Sequence, residues 1–281
     1  MSNRPTLRER LQEPEIVVAL GVHDGLTARI AEREGIEAFY HSGYGAAATH
    51  HGLPDIGLVG LAEMAESVRR VTSVSRVPVI ADGDTGHGAI PGVRRTVLEM
   101  ERAGASALQL EDQVFPKRCG HMEGKQVIPR DEMILKIRAA AAERDPETVI
   151  IARTDALQVN GLDDAIDRCN AYAEAGADIV FVDAPRSHED LTEIITRVDA
   201  PSMANMTETG KTPLLTATEL QELGYRIVIF PTPQVWLFAK AYTELCRELV
   251  EKGTTREILD RFMPFDEVNE LLGKSALEQL V

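Results

Sequence analysis

Only three of the 281 residues are cysteine (Cys119, Cys169 and Cys246), an odd number with no pairing pattern. No disulfide framework is expected, and a reducing compartment suits the chain. A basic excess is also missing, since 30 Lys and Arg stand against 45 Asp and Glu, a formal net charge of −15. A surface of that sign argues against nucleic acid and against an anionic membrane face as partners. No apolar stretch reaches membrane-spanning length, and Met1–Glu15 is polar without the apolar core of a leader, so a cytoplasmic location is expected. Nor does any Pro/Gly/Ser-rich linker or low-complexity tract divide the chain, and a single domain over 1–281 is expected.

What is present is a cadence. Short apolar runs occur at Val17–Val22, Ala38–Ser42, Val77–Ala81, Ala107–Leu110, Val149–Ala152, Ile179–Val182, Ser202–Asn205 and Arg226–Phe230. Between them lie amphipathic segments such as Leu26–Glu34, Leu61–Val74, Val93–Ala103, Arg130–Arg144, Leu162–Ala175, His188–Arg197 and Ala217–Leu223. Several end in the helix-stopping Gly35, Gly104, Gly176 or Gly224. Eight strand-then-helix units predict a parallel sheet closed into a (β/α)8 barrel of the α/β class. Residues 234–281 add a C-terminal helical extension beyond a minimal barrel.

In such a barrel the chemistry sits at the carboxyl ends of the strands. There the chain places Tyr40 to Gly45, then Asp82 and Asp84, then Gln109, Glu111 and Asp112. Arg153 and Asp155, Asp183, and Asn205, Thr207 and Glu208 follow on the next strands. Polar groups at equivalent places on six strands point to a functional rim. Asp82 and Asp84 are two apart and share a face on an extended strand, where like charges repel unless a cation or a proton intervenes. The pair reads either as a divalent-metal corner or as a solvated Asp-Gly turn.

The connection from Asp112 to Pro129 is long for a strand-to-helix loop, and such loops are often active-site lids. It carries Lys117, Arg118, Cys119, Gly120 and His121, and its cationic neighbours would favour thiolate at Cys119. The plainer alternative is a basic surface loop with an incidental thiol.

These motifs resemble the isocitrate lyase / phosphoenolpyruvate mutase superfamily. They are Ser42-Gly43, Leu53-Pro54-Asp55, Asp82 to Gly86, Glu111-Asp112-Gln113, Lys117 to His121, Ala152 to Ala156, and Asn205 to Glu208. The Lys-Arg-Cys-Gly-His loop is similar to the lyase branch, the methylisocitrate and 2,3-dimethylmalate lyases among it. Residues 205–213 look like carboxyphosphonoenolpyruvate mutase. The resemblance implies a Mg2+-dependent enzyme, with Mn2+ as a substitute, that cleaves a C–C bond of a 2-hydroxy di- or tricarboxylate to a 2-oxo acid. It implies Asp82 as a direct metal ligand, with Asp84, Asp55 and Glu111 binding directly or through water. Ser42, Gly43 and Tyr44 would hold the substrate carboxylate, Arg153 the oxygen at C2, and Tyr40 would be the base. Cys119 would return the proton. Asp183, Asn205, Thr207, Gly120 and His121 complete the substrate-binding set. An eighth helix exchanged between subunits and a homotetramer, a dimer of dimers, are also implied. Alternative outcomes on the same site are carboxyphosphonoenolpyruvate phosphonomutase-like C–P chemistry and oxaloacetate hydrolysis or decarboxylation. Gln109, Tyr44 and Asp183 depart from the methylisocitrate and isocitrate lyase pattern, all on the rim where substrate is read.

Other residues take plainer readings. Cys169 and Cys246 read as buried small hydrophobes in helices, His50-His51 as a loop, His23 as structural, and Trp236 as core or interface.

Overall fold

The computed structural model describes residues 6–120 and 122–279. Its eight strands are β1 (Val17–Gly21), β2 (Ala38–His41), β3 (Val79–Asp82), β4 (Ala107–Glu111), β5 (Val149–Thr154), β6 (Ile179–Val182), β7 (Met203–Asn205) and β8 (Ile227–Phe230). All pair in parallel in the order β6-β5-β4-β3-β2-β1-β8-β7, and a bridge between Val180 and Ser202 joins the two ends into a barrel.

The period of two along a strand decides what faces inward. Val17 and Ala19, Ala38 and Tyr40, Ile80, Ala107, Val149 and Ile151, Ile179 and Phe181, Met203, and Ile227 and Ile229 form one buried apolar plug. Leu7 closes that plug from below, 1% exposed, on the short helix Leu7–Arg10 that Thr6 and Glu9 cap reciprocally. Two residues beyond the plug, the same inward parity delivers Asp82, Gln109 and then Glu111, Arg153, Asp183 and Asn205. The polar ring is therefore the next layer of the packing that fills the barrel.

The opposite parity packs against the helices. Phe39, Val79, Ala81, Leu108, Leu110, Ile150 and Ala152 join Met64, Val68, Val97, Met100, Met133 and Ile137 in one buried cluster. Several helix starts carry side-chain caps. Asp24 Oδ1 accepts the Thr27 amide at 2.7 Å, and Ser187 Oγ accepts that of Asp190 at 3.0 Å.

After β8 the helix Pro233–Lys252 leaves the barrel, and Val235 is its single buried residue. Leu237, Phe238, Tyr242, Leu249 and Val250 are exposed along it. Cys246 is exposed too, contrary to the expectation of a buried residue, because this helix is not packed as a barrel helix. Cys169 is buried as expected. The tail continues through a 3-10 turn, Arg256–Arg261, and the helices Phe265–Leu271 and Lys274–Glu278. Arg33 meets Glu267 of this tail at 3.1 Å. His50 and His51 lie in a wide helical turn, Ala47–His51, not in a loop. Gly43–Ala46 starts a helix that the turn continues, and the Gly52 and Leu53 amides close it on the Ala48 and Ala47 carbonyls at 3.2 and 3.0 Å. The two rings stand 6.3 Å apart at 67° and do not converge on a common point.

Candidate active site at the barrel mouth

The ends of β2, β3 and β4 meet in an acid corner. Asp82 closes β3, and its carboxylate is fixed by two amides, that of Gly43 at 3.0 Å on Oδ2 and that of Asp84 at 3.0 Å on Oδ1. Asp84 holds φ at 48°, in the left-handed region that a non-glycine residue seldom adopts. The Gly43 backbone comes so close that a Cβ there would lie 3.1 Å from Asp84 Oδ1 and 3.2 Å from Asp82 Oδ2. Any side chain there would push both carboxylates aside by a few tenths of an ångström, so the approach favours glycine. Asp55, on the connection after the Ala47–His51 turn, completes the group from above, and Lys117 Nζ stands between it and Asp84 at 2.5 and 2.7 Å. Burial alone would lower the Lys117 pKa, yet the carboxylates of Asp84 and Asp55 raise it well above the usual lysine range. Lys117 thus serves as the corner's counterion, a role different from the expected influence on the Cys119 thiol.

Burial pushes Asp84 up to about 7 against the opposing pull of Lys117, with the Asp82 and Asp55 charges adding to the rise. Burial also holds Glu111, which ends β4, well above the usual carboxylate range although Arg153 is beside it. Tyr40 on β2 donates to Gln109 Oε1 at 3.1 Å. Burial, and then the charge of Asp82, keep its phenol well above the ordinary value, so it carries its proton here.

A second cluster stands across the mouth. Arg153 forks onto Asp155, with Nε to Oδ2 and Nη2 to Oδ1 both at 2.9 Å, and Nη2 also reaches Asp183 Oδ2 at 3.1 Å. Its guanidinium lies over the Phe181 ring, 5.4 Å from the centroid. Asp155 is oriented in turn by Asp112, whose Oδ1 accepts its amide at 2.9 Å. Asp112 Oδ2 takes the hydroxyls of Thr154 and Tyr172 at 2.7 and 2.8 Å and Arg168 Nη1 at 3.1 Å. Arg153, Asp155 and Asp112 thereby form one rigid polar support.

The long connection carries Cys119 to the mouth. Gln113 clamps its base, accepting the Arg118 amide and donating to the Arg118 carbonyl, both at 2.9 Å. The Cys119 amide donates to the Asp55 carbonyl at 3.2 Å, which seats the thiol-bearing residue beside the acid corner. His121 lies outside the described residues.

These groups share one cavity of about 240 Å³. Tyr40, Ser42, Tyr44, Asp55, Asp82, Glu111, Cys119, Gly120, Arg153, Asp183, Asn205 and Thr207 all line it. The structure therefore brings together nearly all the residues singled out from sequence, with Gly43 and Asp84 directly behind the wall. Ser42 caps the helix Gly43–Ala46, accepting the Gly45 amide at 2.9 Å, and the amide of Gly43 is already engaged by Asp82. Thr207 Oγ1 donates to Asn205 Oδ1 at 2.8 Å. Trp236, read from sequence as core or interface, stands instead at the cavity edge, where its Nε1 donates to the Tyr44 hydroxyl at 3.2 Å. Its place in the first turn after β8 was the available signal. Sequence reasoning missed Lys125.

The fit to a metal rests on donor chemistry. Asp55, Asp82, Asp84 and Glu111 offer oxygen alone, the set that suits a hard divalent cation. Glu111 Oε1 is buried with no hydrogen-bond partner, and Asp84 Oδ1 has only the Lys117 ammonium nearby. Among the described residues no three His, Cys, Asp or Glu side chains are already gathered around one point, because Lys117 separates two of the acids. The residue types and the unpartnered Glu111 Oε1 fit a hard cation at this corner, with Lys117 as its competitor for Asp55 and Asp84.

Comparison with known proteins agrees with this geometry. The family model described as phosphoenolpyruvate phosphomutase matches residues 7–250. A 2,3-dimethylmalate lyase of Eubacterium barkeri is 42% identical over 281 residues, covering 100% of this chain and 97% of that protein. A 2-methylisocitrate lyase of Aeropyrum pernix is 48% identical over 268 residues, covering 95% and 86%. A solved oxaloacetate acetylhydrolase in complex with 3,3-difluorooxalacetate superposes with a TM-score of 0.94 at 34% identity, covering 99% of this chain and 96% of that one. A barrel with this acid corner and this Cys119 loop, matched nearly end to end by such relatives, belongs to the phosphoenolpyruvate mutase/isocitrate lyase superfamily of enzymes.

Proposed function

We propose that the chain is a Mg2+-dependent carbon–carbon lyase that cleaves a 2-hydroxy di- or tricarboxylate into a 2-oxo acid, pyruvate or glyoxylate, and a second carboxylate. The observation that supports it is the convergence of the acid corner, Arg153 and Cys119 on one small cavity. Asp82, Asp84, Asp55 and Glu111 would hold Mg2+, or Mn2+ in its place. When bound, it supplies Lewis-acid polarisation of the 2-hydroxyl and its neighbouring carboxylate.

The chain's own residues account for the remaining steps. Ser42 and the Tyr44 amide hold the substrate carboxylate at the N-terminus of the Gly43–Ala46 helix. Arg153 donates to the C2 oxygen, and Asp183, Asn205 and Thr207 read the rest of the molecule. Tyr40 removes the hydroxyl proton. Burial, and then the Asp82 charge, hold the phenol's own proton on, so the step requires Tyr40 to enter it as the phenolate, its proton lost to solvent beforehand. The C2–C3 bond then breaks, its electron pair passing to C3 and the attached carboxylate, and Cys119 delivers a proton to C3. Gly120 completes the loop side of the substrate site, and the role expected of His121 falls on a residue outside those described.

The assembly that goes with this reading is a homotetramer, a dimer of dimers, in which Pro233–Lys252 crosses to a neighbouring subunit. The exposed Leu237, Phe238 and Tyr242 support it. A cytoplasmic location goes with three thiols outside any disulfide.

The test is incubation with Mg2+ and a panel of 2-hydroxy dicarboxylates, 2,3-dimethylmalate and 2-methylisocitrate among them, with 2-oxo acid release measured enzymatically. Absence of turnover across the panel, with metal bound, overturns the reading. A second reading, hydrolysis of oxaloacetate, is favoured by the close superposition on the acetylhydrolase, and oxalate formation in the same assay would select it. Thr209 and Gly210 of the mutase-like stretch also line the cavity, so phosphorus NMR on a phosphonate substrate belongs in the panel.

Metal binding should depend on pH in a definite sense. Asp84 titrates at about 7 in the metal-free protein, and a cation must displace its proton. Affinity is expected to climb at least tenfold per pH unit below 7, and the raised carboxyl of Glu111 keeps it rising beyond. Calorimetric Mn2+ titrations between mildly acidic and mildly alkaline pH check this, and a flat profile would refute it.

A further inference from the structure

Lys125 is a buried cation for which the scheme above has no use. Its side chain is 1% exposed, and a charge so placed is costly unless paired. Nζ donates to the Gly120 carbonyl at 2.6 Å, to Asp155 Oδ1 at 2.6 Å and to Asp183 Oδ2 at 3.3 Å. Those three oxygens belong to three separate parts of the molecule. One is in the residue immediately after Cys119, one follows β5, and one follows β6. The two carboxylates are the same pair that grips Arg153, and Asp183 Oδ2 is shared between Arg153 Nη2 and Lys125. Gly120 is seated against them so closely that a Cβ would fall 2.1 Å from Asp183 Oδ2 and 2.5 Å from Arg153 Nη2. The seat admits a backbone and nothing more.

We propose that Lys125 is a positioning residue that ties the Gly120 backbone to Asp155 and Asp183 and so holds Cys119 beside the acid corner. This rests on the reading of Cys119 as the proton donor. Without the ammonium, Gly120 loses its link to the rim, and Asp155 and Asp183 are left to Arg153 alone. Thiol placement and the orientation of the guanidinium then change together.

The chain's three thiols allow a test that needs no turnover. In metal-free, substrate-free protein, iodoacetamide labelling followed by peptide mapping reads exposed Cys246 as the reference, buried Cys169 as the reporter of folding, and Cys119 as the response. In Lys125→Met, Cys119 is expected to label about tenfold faster relative to Cys246 while Cys169 stays silent. An unchanged ratio with Cys169 silent overturns the proposal. If Cys169 also labels, the variant has lost its fold and Gly120→Ala decides, since its Cβ bars the seat with Lys125 intact. The same acceleration is then expected, and none would overturn the proposal. Where turnover is measurable, kcat of Lys125→Met falls further than KM rises. Failure of every substrate in the panel would remove the proton-donor reading and leave the labelling result to judge the tie by itself.

Discussion

Cys119→Ser is expected to lower kcat by about 10²–10⁴-fold, the usual worth of a positioned general acid. The hydroxyl holds its proton far more tightly than the thiol, so protonation of the carbanion becomes the slow step. None of the four acids at the corner is touched, and Mg2+ affinity measured by calorimetry should stay at the wild-type value. KM should change little, because the lost interaction forms only as the carbanion develops. A variant that keeps wild-type kcat would remove the thiol from the mechanism. One that loses metal binding as well would show that the substitution had disturbed the Cys119–Asp55 backbone contact instead.

The second large effect concerns Lys117. Its ammonium holds Asp55 and Asp84 together, and removing one partner of a buried ionic cluster typically costs about 3–5 kcal/mol. Lys117→Met is therefore expected to lower the unfolding temperature of the metal-free protein. Asp84 already has a raised pKa, so its ionised form is the destabilising one and the deficit grows as pH rises through about 7. Below that pH a proton on Asp84 limits the loss. Mg2+ should restore the variant more than it stabilises the wild type, because in the wild type the cation must first displace the ammonium. Saturation at 100 times Kd would return about 2.7 kcal/mol. Thermal unfolding at two pH values, with and without Mg2+, checks all of this. Equal metal-induced shifts in the two proteins would show that Lys117 is no stand-in for a cation.

The barrel was legible because its evidence is periodic. Runs such as Val149–Ala152 and Ile179–Val182 match β5 and β6 nearly residue for residue, since a strand buried on both faces tolerates little but apolar side chains. The acid corner was legible for a related reason: Asp82 follows Ile80 at the same parity, so its inward direction is set by the plug below it. What the sequence could not display were partnerships across long separations. Lys125 meets Asp155 and Asp183 only after β5 and β6 have been brought beside β4, and nothing local to residue 125 announces it. Lys117 was readable as a cation but not as the counterion of Asp55 and Asp84, which lie 62 and 33 residues earlier in the chain. Cys246 was misread because amphipathic spacing says which residues share a helix face and not whether that face meets the barrel.

The backbone at Asp84 sits where glycine would be at ease, and its carboxyl is stripped of water in a crowd of like charges. Chemistry and durability therefore pull in opposite directions at this one position. A descendant relieved of its reaction would drift toward a small neutral residue there and become sturdier.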